Sequence, residues 1–434
     1  MQPTILAVET TDIFPKQSDV VIIGGGIVGL MTALNLAERG IHVVVLEKGT
    51  IAGEQSSRNL GWIRKTNRHI SDLPMAITAD YLWKNMAQRV GADVGYRQAG
   101  IMFAAQSDHE LQAHEKWLDS VQKLNLDSKS LSTKEITQLI PNSQITWKGA
   151  LYTPSDGRAE PTLVSSLVAK AALKLGVKII ENCAVRTLLL TAGKISGVAT
   201  EKGEIKCEQV LVSSGLWSRK LLKKYHINLP TLPLICSVLK TTPMTGPTDI
   251  AFGASNFSFR KHIDGGYIIT QRGALDAPLT LDHLFLGTKY LQQLRHQRDY
   301  LRISLGRYFF EDFRLIKHWN ETSTSPFEQI RTMNPQANMH LNNEALSNLS
   351  EAWPIFKNIK VENTWAGVID VTPDSIPIID TIQKIPGLYI ATGFSGHGFG
   401  TSPTAGHLAA DLITNRQPII DPAPYRLNRF KNKD

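Results

Sequence analysis

The stretch from Asp19 to Glu47 reads DVVIIGGGIVGLMTALNLAERGIHVVVLE. Its apolar run Val20–Ile23 is typical of a strand that is buried on both faces of a parallel sheet. Gly24, Gly26 and Gly29 follow with the spacing G-x-G-x-x-G, and apolar residues then recur at helical spacing before a second apolar run. The order of strand, glycine turn, helix and strand predicts a dinucleotide-binding site in an α/β domain.

Each part of this stretch has a separate role in holding such a ligand. One glycine makes the tight turn, one lets the backbone approach a pyrophosphate, and one lets the helix pack closely on the strand. The helix N-terminus offers unpaired N–H groups to the phosphates, and Glu47 lies where an acid binds a ribose hydroxyl. A glycine triad alone fits a purely structural turn as well, but its combination with helix, second strand and acid favours the nucleotide.

The composition is that of an ordinary globular protein. The chain has 434 residues, of which 42% are hydrophobic and 20% charged, so it is long enough for two domains with substantial cores. Its formal net charge of +8 fits an acidic substrate or an anionic membrane surface, although solubility alone can explain it.

The cysteines and the N-terminus bear on location. Cys183, Cys207 and Cys236 are too few and too scattered for a disulfide framework or a metal site, which favours a reducing cytoplasm. The first residues, MQPTILAVETTDIFPKQSD, lack the features of a signal peptide, and no window is apolar enough to span a bilayer. We therefore expect a cytoplasmic protein that meets a membrane only peripherally, with no metal and no nucleic acid as partner.

The segment 48–69 reads KGTIAGEQSSRNLGWIRKTNRH and is rich in Gly, Ser, Asn and Arg. Ser56, Ser57 and Arg58 are suited to bind phosphate or ribitol oxygens through side chains and backbone. A polar surface loop is the alternative interpretation, but the apolar residues within NLGWI argue against full exposure.

Two later patterns indicate that the nucleotide domain is discontinuous. Residues 156–185 show a turn, a proline near a helix start, an amphipathic helix and a strand at Lys178–Glu181. Val210–Ser214 is an apolar strand that runs into Gly215, either beside the adenylate half of the nucleotide or merely closing the sheet.

We therefore predict a divided chain. The nucleotide domain comprises 17–75, 150–228 and 362–434. The second domain, for the substrate, comprises 76–149 and 229–361 and is an α+β domain with an antiparallel sheet. Within it, a basic, helical insertion covers about 281–331. Its charged face is either simply solvated or docks onto a membrane or an acidic electron-transfer partner.

The C-terminal stretch GLYIATGFSGHGFGTSPTAGHLAADLI repeats the logic of the first. Leu388–Ala391 is a predicted strand, Gly393–Gly400 a glycine-rich turn, and a helix begins near Ser402. Two such turns at opposite ends of the chain suggest one long ligand held at both ends. The second helix dipole favours negative charge at the far end of the ligand, which a reduced flavin carries and a nicotinamide does not.

At this point the motifs resemble a family. GGGIVG with Glu47, DG at Asp156, SSGLWS at Ser213, TPDSIPII at Thr372 and GFSGHGFG at Gly393 are similar to those of the D-amino acid oxidase superfamily, which includes glycine oxidase. The resemblance covers about 17–430. GEQSSR, GADVGYRQAG, SPFEQIR and IIDPAPYRLNRF resemble the bacterial L-amino acid deaminases more closely.

The resemblance implies a Rossmann-like FAD-binding domain and an FAD-dependent oxidoreductase. Such enzymes oxidise the C–N bond of an amino acid to an imine, which water opens to a 2-oxo acid and ammonia, and pass electrons to oxygen or to a quinone of the respiratory chain. The absence of cysteine from the C-terminal region favours noncovalent FAD. The alternatives are an oxidase or dehydrogenase of amines or polyamine derivatives, a flavin-bearing subunit of a larger amine dehydrogenase, and a nicotinamide-dependent dehydrogenase.

The resemblance also nominates residues. Arg260 is expected to hold the substrate carboxylate, the alternative being an exposed strand arginine. His397 either bonds only to backbone or contacts the substrate and flavin, and Trp365 either walls the pocket or packs in the core. The full set of predicted cofactor-binding residues is Gly24, Gly26, Gly29, Glu47, Lys48, Ser56, Ser57, Arg58, Gly61, Val185, Gly215, Trp217, Gly367, Asp374, Gly396, His397, Gly398 and Gly400.

Overall fold

The predicted strand–helix–strand unit lies at the centre of a six-stranded sheet in the computed structural model, which describes residues 2–290 and 300–430. Five strands are parallel, and the edge strand Ile378–Thr381 is antiparallel to its neighbour. The spatial order is Ile378–Thr381, Leu388–Thr392, Gln209–Val212, Val20–Ile23, Val43–Leu46, Lys178–Ile180. All three later strands proposed from sequence therefore belong to this parallel sheet.

Helices cover one face of the sheet and form a continuous apolar core with it. The first helix, Ile27–Ala37, and the last helix, Gly398–Ile413, pack so closely that a Cβ at Gly406 would lie 2.5 Å from that of Met31. The other helices of this layer are Leu73–Lys84, Met86–Val90 and Pro161–Lys174. Because the first and the last helix pack together, the glycine turns that precede them line the same cavity.

The opposite face carries a smaller layer. It contains the helix Trp217–Lys223 and a three-stranded antiparallel sheet with strands Val185–Thr191, Lys194–Thr200 and Gly203–Lys206. The short helix Gln55–Arg58 and the two-stranded ribbon of Trp62–Ile63 with Gly157–Arg158 lie beside the cavity.

A large, mostly antiparallel sheet forms the second half of the described chain. Its order is Leu301–Ser304, Leu275–Pro278, Leu232–Thr241, Tyr267–Thr270, Ser258–Lys261, Ala251–Gly253, Ile101–Ala105, Gly149–Thr153 and Lys129–Ser132, and Val361–Val371 also pairs with Leu232–Thr241. The helices Asp108–Val121, Thr133–Leu139 and Met339–Ala352 belong to this half. Phe252, Phe259 and Trp353 fill its core with edge-to-face and stacked ring contacts.

Two elements lie on the other side of the predicted domain boundaries. The strand Val361–Val371 pairs along most of its length with Leu232–Thr241, so it belongs to the large sheet rather than to the nucleotide domain. The helix Leu73–Lys84 shares the core of the parallel sheet, although most of it was assigned to the substrate domain. Both elements contribute apolar faces to cores that sequence periodicity cannot tell apart.

The insertion predicted at 281–331 is only partly helical. Its described residues form the helices Leu281–Leu286, Arg307–Arg314 and Pro326–Gln329, but also the strand Leu301–Ser304, which extends the large sheet in parallel with Leu275–Pro278. Residues 291–299 lie outside the described part of the chain. None of the helices described is both long enough and apolar enough to cross a bilayer.

Candidate active site

A cavity of about 440 Å³ lies between the two large sheets. Its walls include Ile23 and Ala391 from the parallel sheet and Val238 and Thr270 from the antiparallel one. Of the predicted site residues, those that line it are Gly24, Gly26, Glu47, Lys48, Ser56, Arg58, Gly61, Val185, Gly215, Trp217, Gly367, Gly396, His397, Gly398 and Gly400. Gly29, Ser57, Asp374 and Arg260 are not among the lining residues.

The first glycine turn is shaped as a cradle for a phosphate-linked ligand. Gly24 has a φ of +114°, and a Cβ there would lie 2.6 Å from the carbonyl oxygen of Ser213. A Cβ at Gly29 would lie 2.3 Å from the carbonyl oxygen of Gly24, so Gly29 allows close packing of helix on strand. A Cβ at Gly26 would meet only the Ser56 hydroxyl, at 3.1 Å, and would otherwise occupy the cavity. The open space at Gly26 leaves room for the close approach of a pyrophosphate.

Glu47 directly follows the second strand and its carboxylate is partly buried. It accepts backbone N–H groups from Gly25 at 2.8 Å and Gly49 at 2.7 Å. Burial raises the pKa of Glu47, while the charge of Lys48 and these hydrogen bonds oppose the rise. The carboxylate therefore faces the cavity from a fixed position, as binding of a ribose hydroxyl requires.

Lys48 is neutralised within the protein. Its ammonium bonds to Glu54 at 2.8 Å and lies 4.3 Å from the centre of the Trp217 ring. The indole N–H of Trp217 donates to Glu54 as well. These three side chains form a closed wall at the nucleotide end.

The loop after Lys48 contributes through one serine and one arginine. The Ser56 hydroxyl accepts the N–H of Ile27 at 2.9 Å, at the start of the first helix. The Ser57 hydroxyl instead donates to the carbonyl of Ala52, so Ser57 holds the loop and does not face the cavity. Arg58 donates to the oxygens of Gly53, Asn334 and Ala366.

Asp374, predicted from TPDSIPII to bind the cofactor, does not line the cavity. Asp374 pairs with Arg429 at 2.7 Å and lies away from the cavity. Asp370 lines the cavity instead and accepts the N–H of Gly393 at 2.7 Å, which fixes the second glycine turn. Burial raises the pKa of Asp370. Asp370 lies in a strand, outside the turn-like motif, and so carried no signal in the sequence.

His397 lies at the cavity where the last helix begins. Its Nε2 is 3.4 Å from the guanidinium of Arg64, which donates to it. Burial lowers the pKa of His397 well below its ordinary value, and the charges of Arg68 and Arg64 lower it further. The imidazole is therefore neutral and serves as a hydrogen-bonding group rather than as a proton acceptor.

The structure contradicts the role expected for Arg260. Its guanidinium is 1% exposed and binds both oxygens of Glu160, at 2.7 and 2.8 Å. His262 approaches the same carboxylate at 3.2 Å. Arg260 is thus held in a closed ion pair behind the cavity wall. Glu160 lies a hundred residues earlier in DGRAEP, and no sequence pattern joins the two.

Trp365 also packs behind the wall. Its ring is 5% exposed among Val238 and Ile268, and its indole N–H donates to the carbonyl of Arg58 at 3.0 Å. The structure therefore favours core packing over the pocket-wall alternative.

Three cationic residues that the sequence did not single out line the cavity: Arg64, Arg68 and Arg272. Arg68 is bound to Asp72 at 2.6 Å. Arg64 and Arg272 have no carboxylate bonded to them anywhere in 2–290 and 300–430. The guanidinium carbons lie 5.5 Å (Arg64) and 4.0 Å (Arg272) from the centre of the Phe103 ring. Burial lowers the pKa of Arg64 to about 9 and that of Arg272 to about 10.

Asp156 fixes the loop that carries Arg64. Its carboxylate accepts the backbone N–H groups of Lys65 at 2.8 Å and Thr66 at 3.1 Å. The Lys65 ammonium lies 3.2 Å from the same carboxylate and 2.9 Å from Asp80. The DG motif thus acts by holding a neighbouring loop.

The cradle, the fixed acid and the second helix start define a site for a dinucleotide that ends near His397. A family model described as FAD dependent oxidoreductase matches residues 19–412, and the chain belongs to that family. It is an FAD-dependent oxidoreductase, and the open turn at Gly26 with Glu47 at the strand end fits this cofactor.

Individual relatives agree with this assignment. The chain is 26% identical over 428 residues to sarcosine oxidase subunit beta of Arthrobacter sp., covering 96% of this chain and 92% of that one. The solved L-amino acid deaminase from Proteus myxofaciens, in complex with anthranilate, is 32% identical with a TM-score of 0.95, covering 99% and 97%. The L-amino acid deaminase from Proteus vulgaris is 35% identical with a TM-score of 0.93, covering 98% and 100%.

Proposed function

We propose that this protein oxidises the C–N bond of an amino acid to an imine, which water converts into a 2-oxo acid and ammonia. The observation that carries the proposal is the pair of cavity-lining arginines, Arg64 and Arg272, without protein carboxylates. A free amino acid brings a carboxylate, and a desolvated carboxylate requires a fixed cationic partner. The deaminase solved with anthranilate, which has a carboxylate next to an amine, supports the same chemistry.

Arg272 is the proposed anchor for the substrate carboxylate. Its side chain donates to the carbonyl of Ala254 at 3.2 Å and stacks on Phe103. The Gln271 side chain accepts the N–H of Arg272 at 2.6 Å and so fixes the turn. A planar guanidinium held in this way is suited to donate two parallel hydrogen bonds to a carboxylate.

The protein positions the substrate, and the cofactor accepts the electrons. Bound FAD provides the sink for a hydride that leaves the carbon bearing the amine. The substrate also loses a proton from nitrogen, which leaves a C=N bond for water to open. Anchoring of the carboxylate by Arg272 places the reacting C–H, and neutral His397 adds no positive charge beside it.

Noncovalent attachment of FAD is part of the proposal. Cys183 and Cys236 line the cavity, but burial raises the pKa of both thiols. Because the thiolate is the reactive form, these cysteines are poor candidates for a covalent flavin link. Release of all flavin by acid precipitation of the protein tests this.

We further propose that electrons leave to a membrane quinone rather than to oxygen, from a cytoplasmic enzyme that contacts the bilayer peripherally. Ile303, Leu305, Phe310 and Phe313 are all more than half exposed on the insertion. Arg302, Arg314 and Lys317 accompany them, a combination suited to an anionic lipid surface. Sedimentation with anionic but not zwitterionic vesicles supports the contact, and faster reoxidation by oxygen than by a quinone contradicts the acceptor.

A second candidate is a subunit that is inactive alone, because one relative is itself a subunit of sarcosine oxidase. The experiment that separates the candidates is an anaerobic screen of amino acids and amines with the purified holoprotein, followed by loss of the yellow flavin absorbance. Bleaching by amino acids supports the main proposal. Bleaching only by amines without a carboxylate favours an amine oxidoreductase, and no bleaching without an added partner favours the subunit.

A further inference from the structure

We propose that the substrate carries a second carboxylate and is an acidic amino acid, with one carboxylate on Arg272 and the other on Arg64. The inference rests on the proposed oxidation of an amino acid and narrows its substrate class. It is carried by the arrangement of three hydrogen-bond donors around one aromatic ring at the end of the cavity.

The three donors surround Phe103. The guanidinium carbons of Arg272 and Arg64 lie 4.0 and 5.5 Å from its ring centre. The Trp62 ring centre lies 5.6 Å away in an edge-on arrangement. The two cations are therefore no farther apart than the sum of their distances to the ring, a span that a short dicarboxylate bridges. Arg64, Arg272 and Trp62 all line the cavity.

Two of the other cavity-lining cations are paired with carboxylates. Lys48 pairs with Glu54, and Arg68 pairs with Asp72. Arg58 is held by oxygens of Gly53, Asn334 and Ala366 near the loop. Arg64 and Arg272 have no carboxylate bonded to them within the described chain; Arg64 donates to the carbonyls of Thr66 and Asn67 and to His397, and Arg272 donates to the carbonyl of Ala254.

Two desolvated cations call for two anions. Burial lowers the pKa of both guanidinium groups, and the charge of Arg272 lowers the pKa of Arg64 further. A substrate with one carboxylate leaves one of these partly buried charges without an anionic partner, which is costly.

Trp62 supplies an independent sign of an acceptor. Its indole Nε1 is buried and has no hydrogen-bond partner among the residues described. An indole N–H can only donate, so a ligand that satisfies it has to bring an acceptor. A carboxylate oxygen between Trp62 and Arg64 meets this need.

The first test compares isosteric substrates on the holoenzyme. Both enantiomers of glutamate and aspartate are compared with glutamine and asparagine, which have nearly the same shape without the second charge. With an artificial dye as acceptor, kcat/KM for the better acid should exceed that of its amide by about 10²-fold or more. Arg64→Met should remove most of this preference, measured as the ratio of kcat/KM for the acid to kcat/KM for its amide. Arg97→Met, at an exposed arginine paired with Asp93, is the matched control.

A second test needs no turnover. Glutarate and its monoamide, neither of which has an amine to oxidise, are titrated into the holoprotein, and the flavin spectrum reports binding. Glutarate should bind at least about tenfold more tightly, and Arg64→Met should abolish the difference with FAD content unchanged. Equal binding of the two probes to the wild type overturns the proposal.

The outcomes separate this inference from the function on which it rests. Efficient oxidation of neutral amino acids, unaffected by Arg64→Met, overturns the second carboxylate and leaves amino acid oxidation standing. Oxidation of simple amines alone overturns both. A change in flavin reduction potential in Arg64→Met with the acid preference intact assigns Arg64 to the flavin and also overturns the inference.

Discussion

Two arginines of the large sheet, one within a strand and one just after the neighbouring strand, have opposite surroundings. Arg260, within Ser258–Lys261, gives both ends of its guanidinium to Glu160 and is closed off from the cavity. Arg272 follows the adjacent strand Tyr267–Thr270, lines the cavity and has a carbonyl and an aromatic ring as its neighbours. The comparison shows that burial of an arginine does not by itself mark a binding site. The lack of a bonded carboxylate within the described chain is what distinguishes Arg272, the proposed anchor, from Arg260.

The ion pair between Arg260 and Glu160 should contribute to the free energy of unfolding. Arg260→Leu is expected to lower the free energy of unfolding by about 3–5 kcal/mol, because Glu160 would remain buried without its cation. Arg272→Leu removes a cation that lacks a bonded carboxylate, so stability should be unchanged or higher. Denaturant unfolding of the holoproteins measures both.

The control for this prediction replaces both partners of the pair. Arg260→Met combined with Glu160→Met should regain most of the lost stability, because no buried charge is left unpaired. If Arg260→Leu is as stable as the wild type but no longer oxidises amino acids, Arg260 regains the substrate role and the comparison fails.

Arg272 should be required for amino acid oxidation rather than for folding. Arg272→Leu is expected to reduce kcat/KM for the best amino acid by about 10²–10³-fold while the FAD content stays full. The substrate carboxylate would lose its cationic partner, and the reacting C–H would no longer be aligned with the flavin. Arg272→Lys should recover only part, since a point charge does not fix orientation. Steady-state dye reduction measures both variants, with Arg97→Met as control. Equal rates in wild type and Arg272→Leu would move the anchor elsewhere.

The parts of the site that the sequence predicts are those built from one continuous segment. The turn from Gly24 to Gly29 and the acid at Glu47 are fixed by the local order of strand, turn and helix. Local sequence also indicates the last helix and its glycine turn. The parallel sheet follows from these patterns, because buried strands alternate with amphipathic helices.

The parts that sequence does not predict depend on partners far apart in the chain. Arg260 follows Phe259 within a strand and Arg272 follows Gln271 just beyond the next strand, and neither local sequence indicates what partner the arginine has. They differ because Glu160 folds against one of them and no described carboxylate folds against the other. Asp374 and Asp370 differ in the same way, since Arg429 reaches only the former. Such choices are made by tertiary packing and leave no local pattern.

Glu47 allows the same comparison for a partly buried carboxylate, because it too lacks an ion-pair partner within the described part of the protein. Its neighbouring cation, Lys48, is committed to Glu54, so the Glu47 carboxylate is held only by backbone N–H groups of Gly25 and Gly49. Glu47→Ala should weaken FAD by about 1.5–3 kcal/mol, the range for a lost hydrogen bond to a charged group. Fluorescence titration of apoprotein with FAD measures this, with Glu38→Ala, at a partly exposed surface pair with Arg89, as control. Unchanged affinity would place the ribose elsewhere.

The smallest expected effect is a dependence of stability on pH that belongs to the Arg260 pair alone. Burial raises the pKa of Glu160, but the charge and hydrogen bonds of Arg260 outweigh it, and the pKa is lowered from its ordinary value of 4.5. A carboxyl with a lowered pKa stabilises the fold fully above the unfolded value and loses that contribution as pH falls through the folded value. The stability advantage of the wild type over Arg260→Met with Glu160→Met should therefore be constant above about pH 5 and shrink below pH 4.5. Unfolding of both proteins at a series of pH values measures the difference, which cancels the titration of all shared groups. An advantage that grows on acidification would mean that Glu160 is already protonated in the folded protein, and the closed ion pair would no longer distinguish Arg260 from Arg272.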